Sequence, residues 1–212
     1  GPPATPSLRP PTWFAASDEL FGVEHAEQPF DDFAAQPLLP WRLSQWGPGL
    51  AVGDANGDGH DDLFVGGAAG SRGVLVLGDR QGEWEFSPDL FPAWNEHTAS
   101  EDLGCLWLDV DGDGDQDLFV ASGGVESPAG DEAYRDRLYL NQGNGEFAYA
   151  PQWLPDLRES TAAVAAADFD RDGDLDLFVG GRTQPGAYPR APQSRLLVND
   201  GTRFIDQTTQ AL

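Results

Sequence analysis

The sequence predicts an all-β fold of three four-stranded antiparallel units, and three observations carry that prediction. Three segments superimpose without gaps: Gly49 to Gly67 (GLAVGDANGDGHDDLFVGG), Gly104 to Ser122 (GCLWLDVDGDGDQDLFVAS) and Ala163 to Gly181 (AVAAADFDRDGDLDLFVGG). Each is a short apolar run, an acidic loop and the tetrapeptide Asp-Leu-Phe-Val. A second repeat follows each: Gly73 to Pro88, Arg137 to Pro151 and Arg195 to Gln207. These read as strand, Gly-containing turn and strand, the turns falling at Asp79–Gly82, Asn141–Gly145 and Asn199–Gly201. The loops begin at Asp54, Asp109 and Asp168, so the period is about 55 to 59 residues. Four short strands recurring at that interval are the pattern of β-propeller blades.

The apolar runs are too short for stable helices and sit beside small residues, which suits buried strands. Phe and Val after each loop favour strand again. The blades fall at about 50–103, 104–161 and 162–207, followed by a tail at 208–212. Residues 1–49 form an extension without the repeat. Gly1 to Pro11 is Pro-rich and extended or disordered; Trp13 to Pro48 is expected to supply an outer strand to a neighbouring blade.

Numbering each acidic loop from its first Asp puts oxygen side chains at positions 1, 3, 5 and 9. These are Asp54, Asn56, Asp58 and Asp62 in the first loop, and Asp109, Asp111, Asp113 and Asp117 in the second. In the third they are Asp168, Asp170, Asp172 and Asp176. Alternating oxygens wrapped around a tight turn suit a hard, flexible cation such as calcium. Glycine at position 6 (Gly59, Gly114, Gly173) lets the chain bend sharply. Position 7 (His60, Asp115, Asp174) offers its backbone carbonyl, so its side chain is free to vary. An EF-hand needs a bidentate Glu at position 12 and flanking helices. Position 12 here is Val65, Val120 and Val179 between strands, which rejects that reading and the dockerin loop with it. Mg²⁺ fits less well, because it demands a rigid octahedron and keeps its waters. Ordinary solvated Asp-Gly turns do not account for three in-register copies. The expectation is three structural Ca²⁺ sites, whose six positive charges would bring the formal charge from -24 to -18.

These motifs resemble the FG-GAP/VCBS repeat family, the calcium-binding propeller blades also found in integrin α chains, over roughly Gly49 to Gln207. Further segments are similar to bacterial VCBS-repeat proteins of the CRTAC/UnbV-associated kind: Pro37 to Pro40, Ser44 to Gly53, Asp136 to Asn141, and Gly186 to Arg195 with Tyr188-Pro189. The resemblance implies an exported or surface protein (secreted, cell-surface or periplasmic). Propellers close with 4 to 8 blades, so three call either for further blades of a longer parent chain or for assembly. Two copies could close a six-bladed ring about a two-fold axis.

Composition limits the partners. There are 36 Asp and Glu against 12 Lys and Arg in 212 residues, which disfavours nucleic acid and anionic membranes. No apolar run is long enough to span a bilayer. Seven Trp and twelve Phe argue for a packed domain. Cys105, the single cysteine, lies among Leu103, Leu106 and Trp107 and reads as a buried inert thiol. A Gly-Pro start without methionine reads as a processed or recombinant product, Gly1-Pro2 being a protease scar.

No catalytic constellation appears. The histidines are His25, His60 and His97, and no HExxH, GxSxG or phosphate-binding Gly loop is present. The expected function is a non-catalytic scaffold that presents loops such as Ser122–Ala133 and Gly181–Gln193 to a protein or glycan. Arg182 and Arg190, beside Tyr188, give the latter loop rare positive charge. The alternative is a lectin-like module stacking sugars on Trp41, Trp46, Trp84, Trp94 or Trp153, with Trp94 and Trp153 expected to be exposed and Trp107 core. A polysaccharide-active fragment ranks below both.

Overall fold

A computed structural model describes residues 23, 25–86, 94, 96–143 and 145–211. The Pro-rich start and Trp13 therefore lie outside the described residues. The first sheet holds β1 (Leu50–Gly53), β2 (Asp62–Val65), β3 (Val74–Gly78) and β4 (Trp84–Phe86). The second holds β5 (Glu101–Leu108), β6 (Asp117–Gly123), β7 (Arg137–Asn141) and β8 (Phe147–Tyr149). The third holds β9 (Ser160–Ala167), β10 (Asp176–Thr183), β11 (Arg195–Asn199) and β12 (Phe204–Asp206). All neighbouring strands are antiparallel and in sequence order. The predicted all-β fold of four-stranded blades is what the chain adopts. Among the described residues, helix is limited to α1 (Asp32–Ala35), α2 (Thr208–Ala211) and single 3-10 turns. No helix among the described residues is long and apolar enough to cross a membrane.

Alternation along the strands gives each sheet two apolar faces. The back of sheet 1 (Ala51, Phe64, Leu75) packs on the front of sheet 2 (Trp107, Leu118, Val120, Tyr139). The back of sheet 2 (Leu108, Phe119, Leu138) packs on the front of sheet 3 (Leu177, Val179, Leu197). The first strands run side by side, β1 beside β5 and β5 beside β9. That approach requires glycine at Gly104, where a Cβ would lie 2.0 Å from the carbonyl oxygen of Ala162.

Two expectations change. The described part of the extension, residues 23 and 25–49, contains no strand; it carries α1 and loops. There the buried Asp32 carboxylate accepts from the Leu43 and Ser44 amides at 2.7 and 2.9 Å and ties the segment to itself. Trp94 and Trp153 are buried, not exposed. Both indoles lie in the core: Trp94 meets Tyr139 edge-on at 4.6 Å between centroids and Phe64 at 5.2 Å, while Trp153 joins the core between sheets 2 and 3. Aromatic pairing and area burial outweigh the solvation of an indole N–H. Trp107 is core, as expected.

Phe119 fills a sheet-to-sheet interface, whereas the equivalent Phe178 lies on the open back of sheet 3. Phe119→Ala should cost about 3–5 kcal/mol in denaturant unfolding, and Phe178→Ala less than about 1 kcal/mol. Similar losses at both positions would contradict this assignment of faces.

Candidate metal centres and the sheet ends

Each acidic loop spans the hairpin between the first two strands of its sheet. Position 1 follows the first strand directly, and position 9 opens the second, so the register pairs Gly53 with Asp62, Leu108 with Asp117 and Ala167 with Asp176. The turn needs left-handed backbone at position 6, with φ of 86° at Gly59, 97° at Gly114 and 106° at Gly173. It needs the same at position 4, where Gly57 and Gly112 are joined by Arg171 at 68°. A non-glycine residue there costs roughly 1–2 kcal/mol, so the third loop carries strain that the other two avoid.

In the first two loops the position-1 carboxylate gathers the turn's amides. Asp54 accepts from Gly57 at 2.8 Å and Gly59 at 2.9 Å, and Asp109 from Gly112 at 2.8 Å and Gly114 at 3.1 Å. Positions 3 and 5 accept from amides two residues on: Asn56 from Asp58, Asp58 from His60, Asp111 from Asp113, Asp113 from Asp115, Asp170 from Asp172 and Asp172 from Asp174.

Position 9 behaves differently. Asp62, Asp117 and Asp176 are almost fully buried. One oxygen accepts the amide of position 2 (Ala55 2.8 Å, Val110 2.8 Å, Phe169 2.7 Å). The other accepts the amide that ends the third strand (Gly78 2.9 Å, Asn141 2.8 Å, Asn199 2.9 Å). The two asparagines then reach into the preceding blade. The Asn141 side-chain amide donates to the Ala55 carbonyl at 2.8 Å, and that of Asn199 to the Val110 carbonyl at 2.9 Å. Sequence reading treated both only as turn residues. Their shared place in Arg-Leu-x-x-Asn was the available signal.

Oxygens converge in two of the loops. One carboxylate oxygen each from Asp109, Asp111 and Asp117 lies within 4.8 Å of the others, as does one each from Asp168, Asp170 and Asp176. Ligands around one calcium sit 2.3–2.6 Å from it, so pairs up to about 5 Å apart can share an ion, and this donor set fits. Asp113, Asp115, Asp172 and Asp174 lie outside these clusters. In the first loop position 3 is an amide, Asn56, beside Asp54, Asp58, His60 and Asp62. Burial pushes the Asp117 carboxyl up to about 7, with the Asp111 and Asp113 charges adding to it and the Asn141 and Val110 amides opposing. Asp62 is raised by burial in the same way, and Asp111 by burial and then by Asp113. A divalent cation reverses this by favouring the ionised forms.

At the opposite end of the sheets, Glu101, Glu126, Trp46 and Arg182 meet. Glu101 is buried and accepts from the Trp46 amide at 2.8 Å. A Cβ on Gly124 would meet one oxygen of Glu126 at 2.3 Å and one of Glu101 at 2.5 Å, so the two carboxyls face each other. Arg182, expected on a loop, lies in β10 with its guanidinium 4.4 Å from the centroid of the Trp46 ring. Burial lowers its pKa, against the pull of Glu101 and Glu126. Trp41, Trp46 and Tyr188 are exposed. Burial also pushes the Cys105 thiol far above its ordinary value, so it is inert.

Burial, and then the Glu126 charge, push the Glu101 carboxyl up to about 8 from an unperturbed 4.5. Between those values the folded chain holds a proton that the unfolded chain has lost, so stability falls as pH rises through that window. The expected slope is roughly 1 kcal/mol per pH unit. Glu101→Gln, which keeps the acceptor for Trp46, should flatten the slope in unfolding measured from pH 5 to 8; an unchanged slope would exclude Glu101 as its source.

A family model described as FG-GAP-like repeat matches residues 54–120 and again 109–179. The two matches cover more than half of the chain and take in all three acidic loops, through Asp-Leu-Phe-Val of the third. No curated protein matches the chain. The repeated loop-and-blade unit, matched by the family model over more than half of the chain, places this chain in the FG-GAP-like repeat family.

Proposed function

We propose that the chain is a non-catalytic, calcium-stabilised propeller scaffold that presents the loops between its strands to a protein or glycan partner. The observation that carries this reading is the convergence of Asp109, Asp111 and Asp117, and of Asp168, Asp170 and Asp176, at hairpins stitched to the neighbouring blade. Three ions are proposed, the first held by Asp54, Asn56, Asp58, the His60 carbonyl and Asp62. The other two loops would use the same positions, with the carbonyls of Asp115 and Asp174. Calcium, bound there, supplies charge neutralisation and cross-linking of the turn. The residues themselves orient the loop and hold its amides.

Calcium is millimolar outside cells, where such sites fill readily, and we read the chain as exported and akin to bacterial VCBS-repeat proteins of the CRTAC/UnbV-associated kind. Further blades, from a second copy or a longer parent chain, would complete the ring. A glycan partner is favoured by the exposure of Trp41, Trp46 and Tyr188, since aromatic faces stack on sugars. A glycan array without binding would leave the protein partner.

Calcium at a thousand times its Kd adds about 4 kcal/mol per site. Excess chelator should therefore lower Tm sharply and calcium should restore it, with Mg²⁺ restoring less; an unchanged melting curve would remove the metal from this reading. Asn199→Ala leaves the Val110 carbonyl without its donor and should cost about 1–3 kcal/mol in saturating calcium, measured by urea unfolding.

A further inference from the structure

Each sheet-to-sheet contact joins the back of one blade to the front of the next, and equivalent residues can be compared along the series. The Phe of Asp-Leu-Phe-Val is 1 % exposed in blade 1 (Phe64) and 0 % in blade 2 (Phe119), but 47 % in blade 3 (Phe178). Position 2 of the loop behaves alike: Ala55 is 0 % exposed, Val110 2 % and Phe169 58 %. Around these two phenylalanines lies an apolar depression of about 250 Å³, lined also by Ala165, Ala167 and Leu196. Its counterpart on blade 1, formed by Ala51, Gly53, Ala55, Phe64 and Leu75, is where Trp107 of blade 2 packs. Beside the depression is the carbonyl of Phe169. It is third in a series whose first two members, the carbonyls of Ala55 and Val110, each accept a side-chain amide from the following blade. Among the described residues no such donor reaches it.

We infer that the back of blade 3 is a docking face for the front of a further blade of this repeat, one with a bulky apolar residue in its first strand and Asn closing its third. The bulk follows from compensation. Ala51 and Gly53 face Trp107, whereas the larger Leu106 and Leu108 pack against the front that carries Ala166. Ala165 and Ala167 are small, so their partner is large. It is smaller than indole, because a Cβ at Gly53 would lie 2.8 Å from Cδ1 of Trp107, and Ala167 has that Cβ. Leu or Phe fits.

Blade 1 of a second copy does not meet these terms. Gly78 occupies the position of Asn141 and Asn199, and a Cβ there would lie 2.3 Å from the Asp61 carbonyl oxygen. A ring closed by two copies would leave the Phe169 carbonyl buried without a donor, which is unfavourable. The inference rests on blade packing and is independent of the metal.

The test appends a second copy of residues 156–207 after Leu212, with Ala166→Leu in the copy, and places Ala165→Cys in the parent blade 3 as an accessibility probe. Maleimide modification is measured over the Cys105 background. The expected result is at least tenfold slower modification in the extended chain than in the parent, with at least half of that protection lost when the copy also carries Asn199→Ala. An unchanged rate, including one caused by an appended copy that stays unfolded, overturns the inference. A rate indifferent to Asn199→Ala overturns the amide requirement. A parent chain that sediments as a dimer with its thiol already slow assigns the face to a second copy instead.

Discussion

The buried carboxylate at position 9 is the constraint on which the rest of the molecule depends. Each of Asp62, Asp117 and Asp176 spends one oxygen on the second residue of its own loop and the other on the residue ending the third strand of its blade. Hydrogen bonds to an ionised acceptor are roughly twice as strong as neutral ones, and Asp62, Asp117 and Asp176 are buried from bulk solvent. The asparagines carry the constraint across the interfaces. An unbroken series of bonds runs from Asp62 through Ala55, Asn141, Asp117, Val110 and Asn199 to Asp176 and Phe169. The loops are therefore joined to blade packing by direct hydrogen bonds.

Between the sheets the repeat conserves volume rather than residues. One interface sets Ala51 and Gly53 against Trp107, and the other sets Leu106 and Leu108 against Ala166 and Val164. A close-packed interior penalises voids and overlaps alike. Identical blades with large residues on both faces would clash, and with small ones would leave cavities, so divergence at these positions is how three similar units stack.

Much of the fold was legible because each informative pattern was local. Strand, loop and strand lie within about 20 residues, and Asp-Leu-Phe-Val sets the register of β2, β6 and β10 once the acidic turn is recognised. What crossed between blades was not legible. Asn141 meets Ala55 across 86 residues of sequence, and Asn199 meets Val110 across 89; no periodicity within one unit marks such a contact. Trp94 and Trp153 were misplaced because the stretches between blades were read as outward loops, when both indoles pack into the clusters between the sheets. Arg182 looked like loop charge until β10 proved to run on to Thr183. At the candidate site, the spacing made readable which carboxylates converge in the second and third loops, those at positions 1, 3 and 9, while the separation of Asp113 and Asp172 from those clusters depends on turn geometry.

The distribution of positive charge bears on the proposal that the loops take a cation from solution. All 12 cationic side chains are arginines. Several are committed away from the loops: Arg137 to Asp102, Arg195 to Glu159 and Asp206, and Arg135 and Arg158 to Glu132 and Asp156. Within the three loops the only arginine is Arg171, at the strained position 4. The chain thus holds buried carboxylates at position 9, adds further carboxylates around them, and places almost no protein cation nearby. Protonation could relieve the repulsion at Asp117 only around neutral pH and below. Above that, the field of the loops themselves concentrates counter-ions, and a divalent ion that takes several oxygens at once relieves more repulsion than monovalent ions that do not bridge. Under the function proposed above, the same acidity that makes these hairpins unfavourable on their own would give a divalent cation purchase on the packing of the blades.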